Sequence, residues 1–226
     1  MVVAPQRGLS VADMERVIRI LRKETLRFEA PVVTLISKTK RDPYKVLTSC
    51  LLSLRTNDHT TTGATDRLFS LAVTPEDMLR IPVLKLEKTI YPVGFYRVKA
   101  RLLHSISKDL LERFGGKVPD NLEDLLSLKG VGRKTANLVL TLGFGKHGIC
   151  VDTHVHRISN RLGFVKTRTP EQTEFALRKK LPMRHWIEFN DTLVAYGQNH
   201  CRPISPKCST CKVKGYCRKV GVGVHR

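Results

Sequence analysis

Residues Leu128–Lys134 read LKGVGRK and separate two stretches whose apolar residues recur at helical spacing. The preceding stretch predicts a short helix that begins at an N-cap, Asp120, and carries an apolar stripe of leucines. A second helix is predicted from about Arg133 onward. Gly130 and Gly132 permit a tight turn between them, because glycine adopts positive φ angles and allows close backbone approach. The stretch therefore predicts a helix, a two-glycine hairpin and a second helix.

This hairpin is either an ordinary corner between two helices or a phosphate-binding site. Glycine-rich turns commonly end helices, whereas a helix start presents backbone N–H groups and a positive dipole end to an anion. Lys129, Arg133 and Lys134 place three cations there, which a simple corner does not need. Lys134 also lies in the first helical turn, where the dipole disfavours a cation. These features favour the phosphate-binding site and predict a specific task for Lys134.

The whole chain carries a large positive charge. Its 226 residues include 40 Lys and Arg against 20 Asp and Glu, which gives a formal net charge of +20. With 41% hydrophobic residues the chain is expected to fold, and its predicted partner is a polyanion, with nucleic acid preferred over an anionic membrane. No apolar run approaches the ~20 residues that span a bilayer. The first ten residues lack the apolar core of a signal peptide, so an intracellular location in the cytoplasm or nucleoid, associated with DNA, is predicted.

Segments of helical periodicity follow one another along the chain, and no sustained alternation typical of strands appears. Ser10 together with Asp13 predicts the start of the first helix, and Pro43 predicts the start of another. Further helices are predicted over 58–71, from 75, over 95–114, from 170 and over 183–199. The predicted class is therefore all-α.

A compact run of four cysteines lies near the C-terminus. It has the spacing C-x6-C-x2-C-x5-C, at Cys201, Cys208, Cys211 and Cys217. Four thiols so close together favour a shared ligand, because free thiolates are prone to oxidation. Structural zinc sites usually pair two short Cys/His knuckles across a longer spacer, whereas one compact four-cysteine run suits a [4Fe–4S] cluster. One cluster per chain is the preferred prediction, and zinc is the alternative.

The hairpin, the downstream Asp152 and the cysteine run together resemble the endonuclease III family, which comprises DNA glycosylases and AP lyases of the helix-hairpin-helix superfamily. The resemblance covers about Pro43 to Arg218. It implies an all-α fold with two lobes: a six-helix barrel ending in the hairpin, expected over residues 36–146, and a helical domain carrying the [4Fe–4S] cluster, expected over residues 1–35 and 147–226. It also implies a monomer that binds double-stranded DNA containing damaged bases or abasic sites.

This resemblance assigns the catalytic roles to Lys134 and Asp152. The lysine would attack C1′ of a nucleotide flipped out of the duplex, release the base through a Schiff base and cut the strand 3′ to the site by β-elimination. Only the unprotonated amine is a nucleophile, and the cationic hairpin and helix start favour that form. Asp152 would activate the amine or stabilise the oxocarbenium-like sugar. The implied function is base-excision repair of damaged pyrimidines, oxidised ones in particular.

DNA contacts are expected along the hairpin and at three other positions, at Arg55, Phe95, Lys129, Gly130, Gly132, Arg133 and His154. Two of these residues depart from the family pattern. Lys129 replaces the usual proline of the hairpin, which adds a candidate phosphate contact. Arg55 stands where glutamine commonly fills the gap left by the flipped base. Phe95 resembles the apolar wedge of the family, and a core phenylalanine is the equal alternative.

Two other functions remain open from the sequence. A monofunctional mismatch glycosylase would leave its abasic product uncut. A non-catalytic helix-hairpin-helix protein would use Lys134 only to contact phosphate. Adenine glycosylases of similar architecture carry the same cluster but lack this lysine, so its presence favours the bifunctional lyase.

Overall fold

The computed structural model describes residues 9–28 and 41–226, and these ranges contain helices and loops but no β-strand. The helices are α1 Val11–Thr25, α2 Pro43–Ser53, α3 Asp58–Phe69, α4 Pro75–Arg80, α5 Val83–Ile90, α6 Tyr96–Phe114, α7 Leu122–Ser127, α8 Arg133–Leu138, α9 Thr153–Leu162, α10 Pro170–Lys180 and α11 Trp186–Asn199. A π-helical segment, Val139–Gly143, continues α8, and a 3₁₀ turn, Met183–His185, precedes α11. The all-α prediction is confirmed. None of the described helices combines the length and apolar character needed to cross a membrane.

The chain divides into two compact units. The hairpin unit spans Pro31–Gly148, and residues 41–148 of it are described. The cysteine unit combines Met1–Ala30 with Ile149–Arg226, and residues 9–28 and 149–226 of it are described. Each unit has a hydrophobic core of its own.

The core of the hairpin unit forms around α2 and α6. Helix α6 packs against α4, α5 and α2, and α2 also packs against α3, α8 and the π segment. Leu47, Leu51, Leu86 and Leu110 are each at most 1% exposed at these contacts. Burying one leucine side chain contributes about 1.5–3 kcal/mol. The packed helices therefore form a stable base for α8, which begins at the hairpin.

The core of the cysteine unit forms around α11, which packs against α1 and α9, while α9 packs against α10. The predicted start of α1 is confirmed, because Ser10 Oγ accepts the Asp13 N–H at 3.1 Å. Its apolar face lies buried at Met14, Val17, Ile18 and Leu21. The cysteine loop after α11 is thereby attached to a packed helical base.

Two helix starts differ from the sequence prediction. Asp120 is not the N-cap of α7, because Asn121 Oδ1 accepts the Asp124 N–H at 2.9 Å instead. The Asp120 carboxylate pairs with Lys146 Nζ at 2.6 Å, a contact between residues distant in sequence. Helix α5 was not predicted. It begins at Val83, and its N-cap residue Pro82 has no side-chain capping hydrogen bond that would mark the start.

Candidate active site and cysteine loop

The hairpin turn is built by Gly130 and anchored by Val131. Gly130 has φ +76°, in the left-handed region that glycine adopts without strain, and a Cβ there would lie 2.9 Å from Leu102 Cδ2. Val131 is 6% exposed, and its N–H donates to the Leu128 carbonyl at 3.1 Å. Gly132 is exposed and is the N-cap residue of α8. The local sequence therefore forms the predicted turn and keeps both glycines at the surface.

The three predicted hairpin cations surround the start of α8. Lys129 and Lys134 are exposed, and Arg133 is half-buried. The Lys134 amine is close enough to α2 for its charge to affect the Cys50 thiol. Burial raises the pKa of Cys50 to about 12, and the positive charge of Lys134 opposes that rise. First-turn N–H groups have no carbonyl partner within their own helix. An exposed amine beside such groups is suited to meet an anionic backbone.

Helix α8 widens directly into the π segment Val139–Gly143. The Phe144 N–H donates to the Val139 carbonyl at 3.2 Å, five residues back, as π geometry requires. The segment packs tightly against the start of α2, because a Cβ on Gly143 would lie 2.9 Å from Pro43 Cα. Short π segments of this kind are frequent at functional sites. The helix that begins with Arg133 and Lys134 is thus fixed at its far end.

Asp152 is the N-cap of α9. Its Oδ1 accepts the N–H groups of His154 and Val155, each at 2.9 Å, and its side chain is half-buried. Two backbone donors hold the carboxylate in one orientation at the helix start. Asp152 belongs to the cysteine unit, and Lys134 belongs to the hairpin unit.

His154 lies between α9 and α11. Its Nδ1 accepts a hydrogen bond from Arg157 Nη2 at 3.1 Å, and a Cβ on Gly197 would lie 2.5 Å from the same atom. Arg157 also donates to the carbonyls of Gly197 and Cys201, at 3.2 and 2.9 Å. Burial lowers the pKa of the Arg157 guanidinium. The structure therefore gives His154 a packing role, and its DNA contact stays a prediction.

Arg55 and Phe95 lie side by side on two loops of the hairpin unit. The Arg55 Cζ atom is 5.6 Å from the centroid of the Phe95 ring, within the range of a cation–π contact. Both residues have left-handed backbones, with φ of +54° and +60°. Phe95 is 60% exposed, so the alternative of a core phenylalanine is wrong. Two side chains predicted to enter DNA from separate loops are thus already in contact.

The four cysteines of the run lie on a loop after α11 that has turns but no helix or strand. None of these four thiols forms a disulfide, and each is partly buried. The loop is anchored on the core of the cysteine unit by Val213, which is 2% exposed. Partly buried side chains of the same loop pack against that core, at Cys201, Cys211, Tyr216 and Cys217.

These thiols interact with one another and with two polar side chains. Burial is the main cause that raises the pKa of Cys217, and the charges of the other three cysteines raise it further. The Tyr196 hydroxyl lies 3.1 Å from Cys211 Sγ, and Arg161 Nη1 donates to Cys201 Sγ at 3.4 Å. The ionised forms of these thiols therefore repel one another.

Within residues 9–28 and 41–226, no three His, Cys, Asp or Glu side chains are grouped so that they could hold a metal ion. The donor chemistry of the loop nevertheless fits a thiophilic cofactor, because soft thiolates select zinc and iron–sulfur clusters. A shared cation would also relieve the mutual repulsion that raises the pKa of Cys217. The residues present therefore fit such a group.

Comparison with known proteins places this arrangement in a family. Residues 48–183 match the family model described as HhH-GPD superfamily base excision DNA repair protein. The chain is 50% identical to endonuclease III of Thermotoga maritima, over 78% of this chain and 83% of that protein. It is 39% identical to the chloroplastic endonuclease III homolog 2 of Arabidopsis thaliana, over 93% of this chain but only 58% of that longer protein.

A solved structure shares the architecture. The structure of a non-covalent endonuclease III–DNA complex superposes with a TM-score of 0.83 at 32% identity, covering 93% of this chain and 96% of that one. The family model and the Thermotoga relative each cover more than half of the chain. The chain therefore belongs to the HhH-GPD superfamily of base excision DNA repair proteins and, within it, to the endonuclease III family of DNA glycosylases and AP lyases.

Proposed function

We propose that this chain is a bifunctional DNA glycosylase and AP lyase that removes damaged, in particular oxidised, pyrimidines through a Schiff base at Lys134. The observation that carries the proposal is the exposed Lys134 amine in the first turn of α8, directly after the glycine hairpin. The N–H groups and cations of the hairpin attract a DNA phosphate. They would therefore bring the strand to the nucleophile.

The proposed chemistry begins at a flipped nucleotide, because C1′ is out of reach inside the duplex. Lys134 Nζ attacks C1′, and the N-glycosidic bond breaks with its electron pair leaving on the base. Opening of the sugar ring leaves the amine bound as an imine. Loss of a proton from C2′ then breaks the C3′–O bond, which cuts the strand 3′ to the lesion.

Asp152 is proposed to assist at the same sugar. Its carboxylate would accept a proton from the attacking amine or stabilise the positive charge that develops on the sugar. Both N-cap hydrogen bonds use Oδ1. The Oδ2 atom therefore lies outside the cap, so capping and chemistry do not compete for one oxygen.

The proposed partner is double-stranded DNA with a damaged base or an abasic site. The formal charge of +20 and the hairpin cations favour the phosphate backbone. The exposed pair Arg55 and Phe95 offers one donor and one apolar ring for the gap that a flipped nucleotide leaves. The chain is proposed to act as a monomer.

The proposed cofactor is one [4Fe–4S] cluster held by Cys201, Cys208, Cys211 and Cys217. A bound cluster would join four points of a loop that has no helix or strand to order it. Iron and inorganic sulfide in equal amounts, with visible absorbance, would support the cluster. A colourless preparation that contains zinc would support the alternative.

Borohydride trapping on a duplex with one abasic site tests the function. Reduction turns an imine into a stable covalent adduct. We expect an adduct from the wild type and from Lys108→Gln, whose lysine is exposed on α6 and pairs with Glu112, and none from Lys134→Gln. Base release that leaves the abasic strand uncut would instead support a monofunctional glycosylase, and DNA binding without base release a non-catalytic protein.

A further inference from the structure

A lysine that the proposed chemistry does not use is buried under the loops of Arg55 and Phe95. Lys99 lies on α6 in register with the core residues Leu103 and Ile106, and it is 6% exposed. Lysine is almost never fully buried without partners. A cation at a core position of an amphipathic helix therefore calls for an explanation.

Lys99 bonds three oxygens of the segment that ends α2. Its Nζ donates to the carbonyls of Leu52 and Leu54 at 2.7 and 2.5 Å, and to Thr56 Oγ1 at 3.2 Å. The last carbonyls of a helix lack N–H partners within that helix, and an ammonium group has three donors to offer. Lys99 thus fixes the chain on both sides of Arg55, which follows Leu54 directly.

The same contacts extend to the loop of Phe95. Thr56 Oγ1 also accepts the Gly94 N–H at 3.1 Å, so one hydroxyl joins Lys99 to the residue before Phe95. The two loops touch so closely that a Cβ on Gly94 would lie 2.7 Å from the Arg55 carbonyl oxygen. Lys99, Thr56 and Gly94 therefore hold both loops in one arrangement.

The backbone conformation of the two loops needs stabilising contacts from other residues. Arg55 and Phe95 both have left-handed backbones, a conformation that is unfavourable for residues with a Cβ. Such strain persists only where the surrounding contacts enforce it. The hydrogen bonds of Lys99 enforce it at the Arg55 loop, and through Thr56 at the Phe95 loop.

We propose that Lys99 is a positioning residue that preorganises Arg55 and Phe95 as a single probe for the gap in damaged duplex DNA. The inference rests on the proposed function and deepens it, since the probe would select duplexes with a missing or extruded base over intact ones. Lys99 itself does not touch DNA. Its burial lowers its pKa to about 8, as expected for an amine whose acceptors are neutral oxygens.

The test measures binding without chemistry. The duplex carries a tetrahydrofuran abasic analogue, which forms no imine, opposite 2-aminopurine, whose fluorescence rises when a side chain unstacks it. We expect Lys99→Met to reduce the affinity ratio of abasic over intact duplex by about tenfold and to abolish the fluorescence rise. Lys108→Met, on the exposed side of the same helix, should change neither.

A double-mutant cycle separates positioning from a general loss of structure. If Lys99 acts through the probe, Lys99→Met has little further effect once Arg55 and Phe95 are both alanine. Additive losses in that cycle would overturn the proposal, as would full selectivity in Lys99→Met. If Lys99→Met does not fold, Thr56→Val replaces it in the cycle. This variant keeps the side-chain shape but lacks the hydroxyl that accepts from both Lys99 and Gly94.

Failure of this inference is distinguishable from failure of the proposed function. A wild type that binds abasic and intact duplex equally well would contradict the proposed function. A wild type that prefers the abasic duplex, together with a Lys99→Met variant that keeps the preference, would contradict only the role of Lys99.

Discussion

Arg161 of α9 donates a hydrogen bond to the Cys201 thiol at 3.4 Å. The same guanidinium donates to the carbonyls of Arg202 and Pro203, at 2.7 and 2.8 Å, and the residue is 8% exposed. One side chain of a packed helix therefore fixes the beginning of the cysteine loop.

Replacement of Arg161 should weaken retention of the proposed cluster. Arg161→Met keeps an apolar stem but leaves two loop carbonyls without their donor, so we expect a loss of about 1–3 kcal/mol in the free energy of unfolding and less iron per chain. Chemical denaturation and iron analysis check this. Arg168→Met, at an exposed position after α9, is the control. Unchanged iron content in Arg161→Met would show that the loop needs no such support.

Substitution of Asp152 should separate chemistry from capping. Asparagine is as good an N-cap as aspartate, so Asp152→Asn should keep the stability of the wild type and lose base release and strand cleavage. Asp152→Ala should lose the activity and also about 1 kcal/mol of stability. Single-turnover cleavage and thermal unfolding provide the two readouts. An active Asp152→Asn would show that the carboxylate only caps α9 and takes no part in the chemistry.

The two hairpin glycines should respond differently to alanine. Gly130→Ala places a Cβ at a left-handed position 2.9 Å from Leu102, and we expect a loss of about 1–2 kcal/mol from the backbone alone. Gly132→Ala meets no atom within 4 Å at an extended backbone, so it should lose less stability, only the preference of an N-cap for glycine over alanine. Urea denaturation compares the two variants. Equal losses of stability in the two variants would mean that the left-handed backbone of Gly130 does not decide the effect of alanine.

The hairpin cation Lys129 should contribute to affinity and not to chemistry. Removing one phosphate contact lowers the slope of log Kd against log salt by about one. Lys129→Gln is therefore expected to bind abasic duplex more weakly, with that smaller slope, and to cleave normally at saturating DNA. A salt titration of Kd checks the slope, and an unchanged value would remove Lys129 from the phosphate contacts.

The buried Lys99 should give stability a recognisable pH dependence. Its pKa falls from 10.5 to about 8 on folding, so between these values the unfolded chain binds a proton that the native chain does not. The free energy of unfolding of the wild type should therefore rise relative to Lys99→Met through this window, by roughly 1–3 kcal/mol. Unfolding at about pH 7 and about pH 10 measures the difference. A pH-independent difference would contradict the burial of a titrating amine.

Local signals predicted most helix starts, because caps and prolines act on neighbouring residues. Ser10 and Pro43 mark helices where the structure has them. Asp120 and Asn121 are both suitable caps; in the fold Asn121 caps α7 and Asp120 pairs with Lys146. Long-range contacts of this kind are invisible to a local pattern.

The site was predictable to the extent that single residues carry chemistry. Lys134 and the cysteines stand out by type and spacing, and Asp152 was assigned through the resemblance to the endonuclease III family. The exposure of Phe95 was settled only by the fold. Lys99 was missed, although a lysine in register with Leu103 on an amphipathic helix was a usable signal. The role of Lys99 follows from its hydrogen bonds to Leu54 and Thr56, which lie more than forty residues away in sequence.

The division into two units also constrains synthesis on the ribosome. Helix α1 needs α11, at Trp186–Asn199, to cover its apolar face, whereas the hairpin unit ends at Gly148. The nascent hairpin unit can therefore fold first, as domains emerging early in translation generally do. Until α11 emerges, Met14 and Ile18 lack the helix that buries them. The cysteine loop follows α11, so loading of the proposed cluster would be among the last steps of maturation.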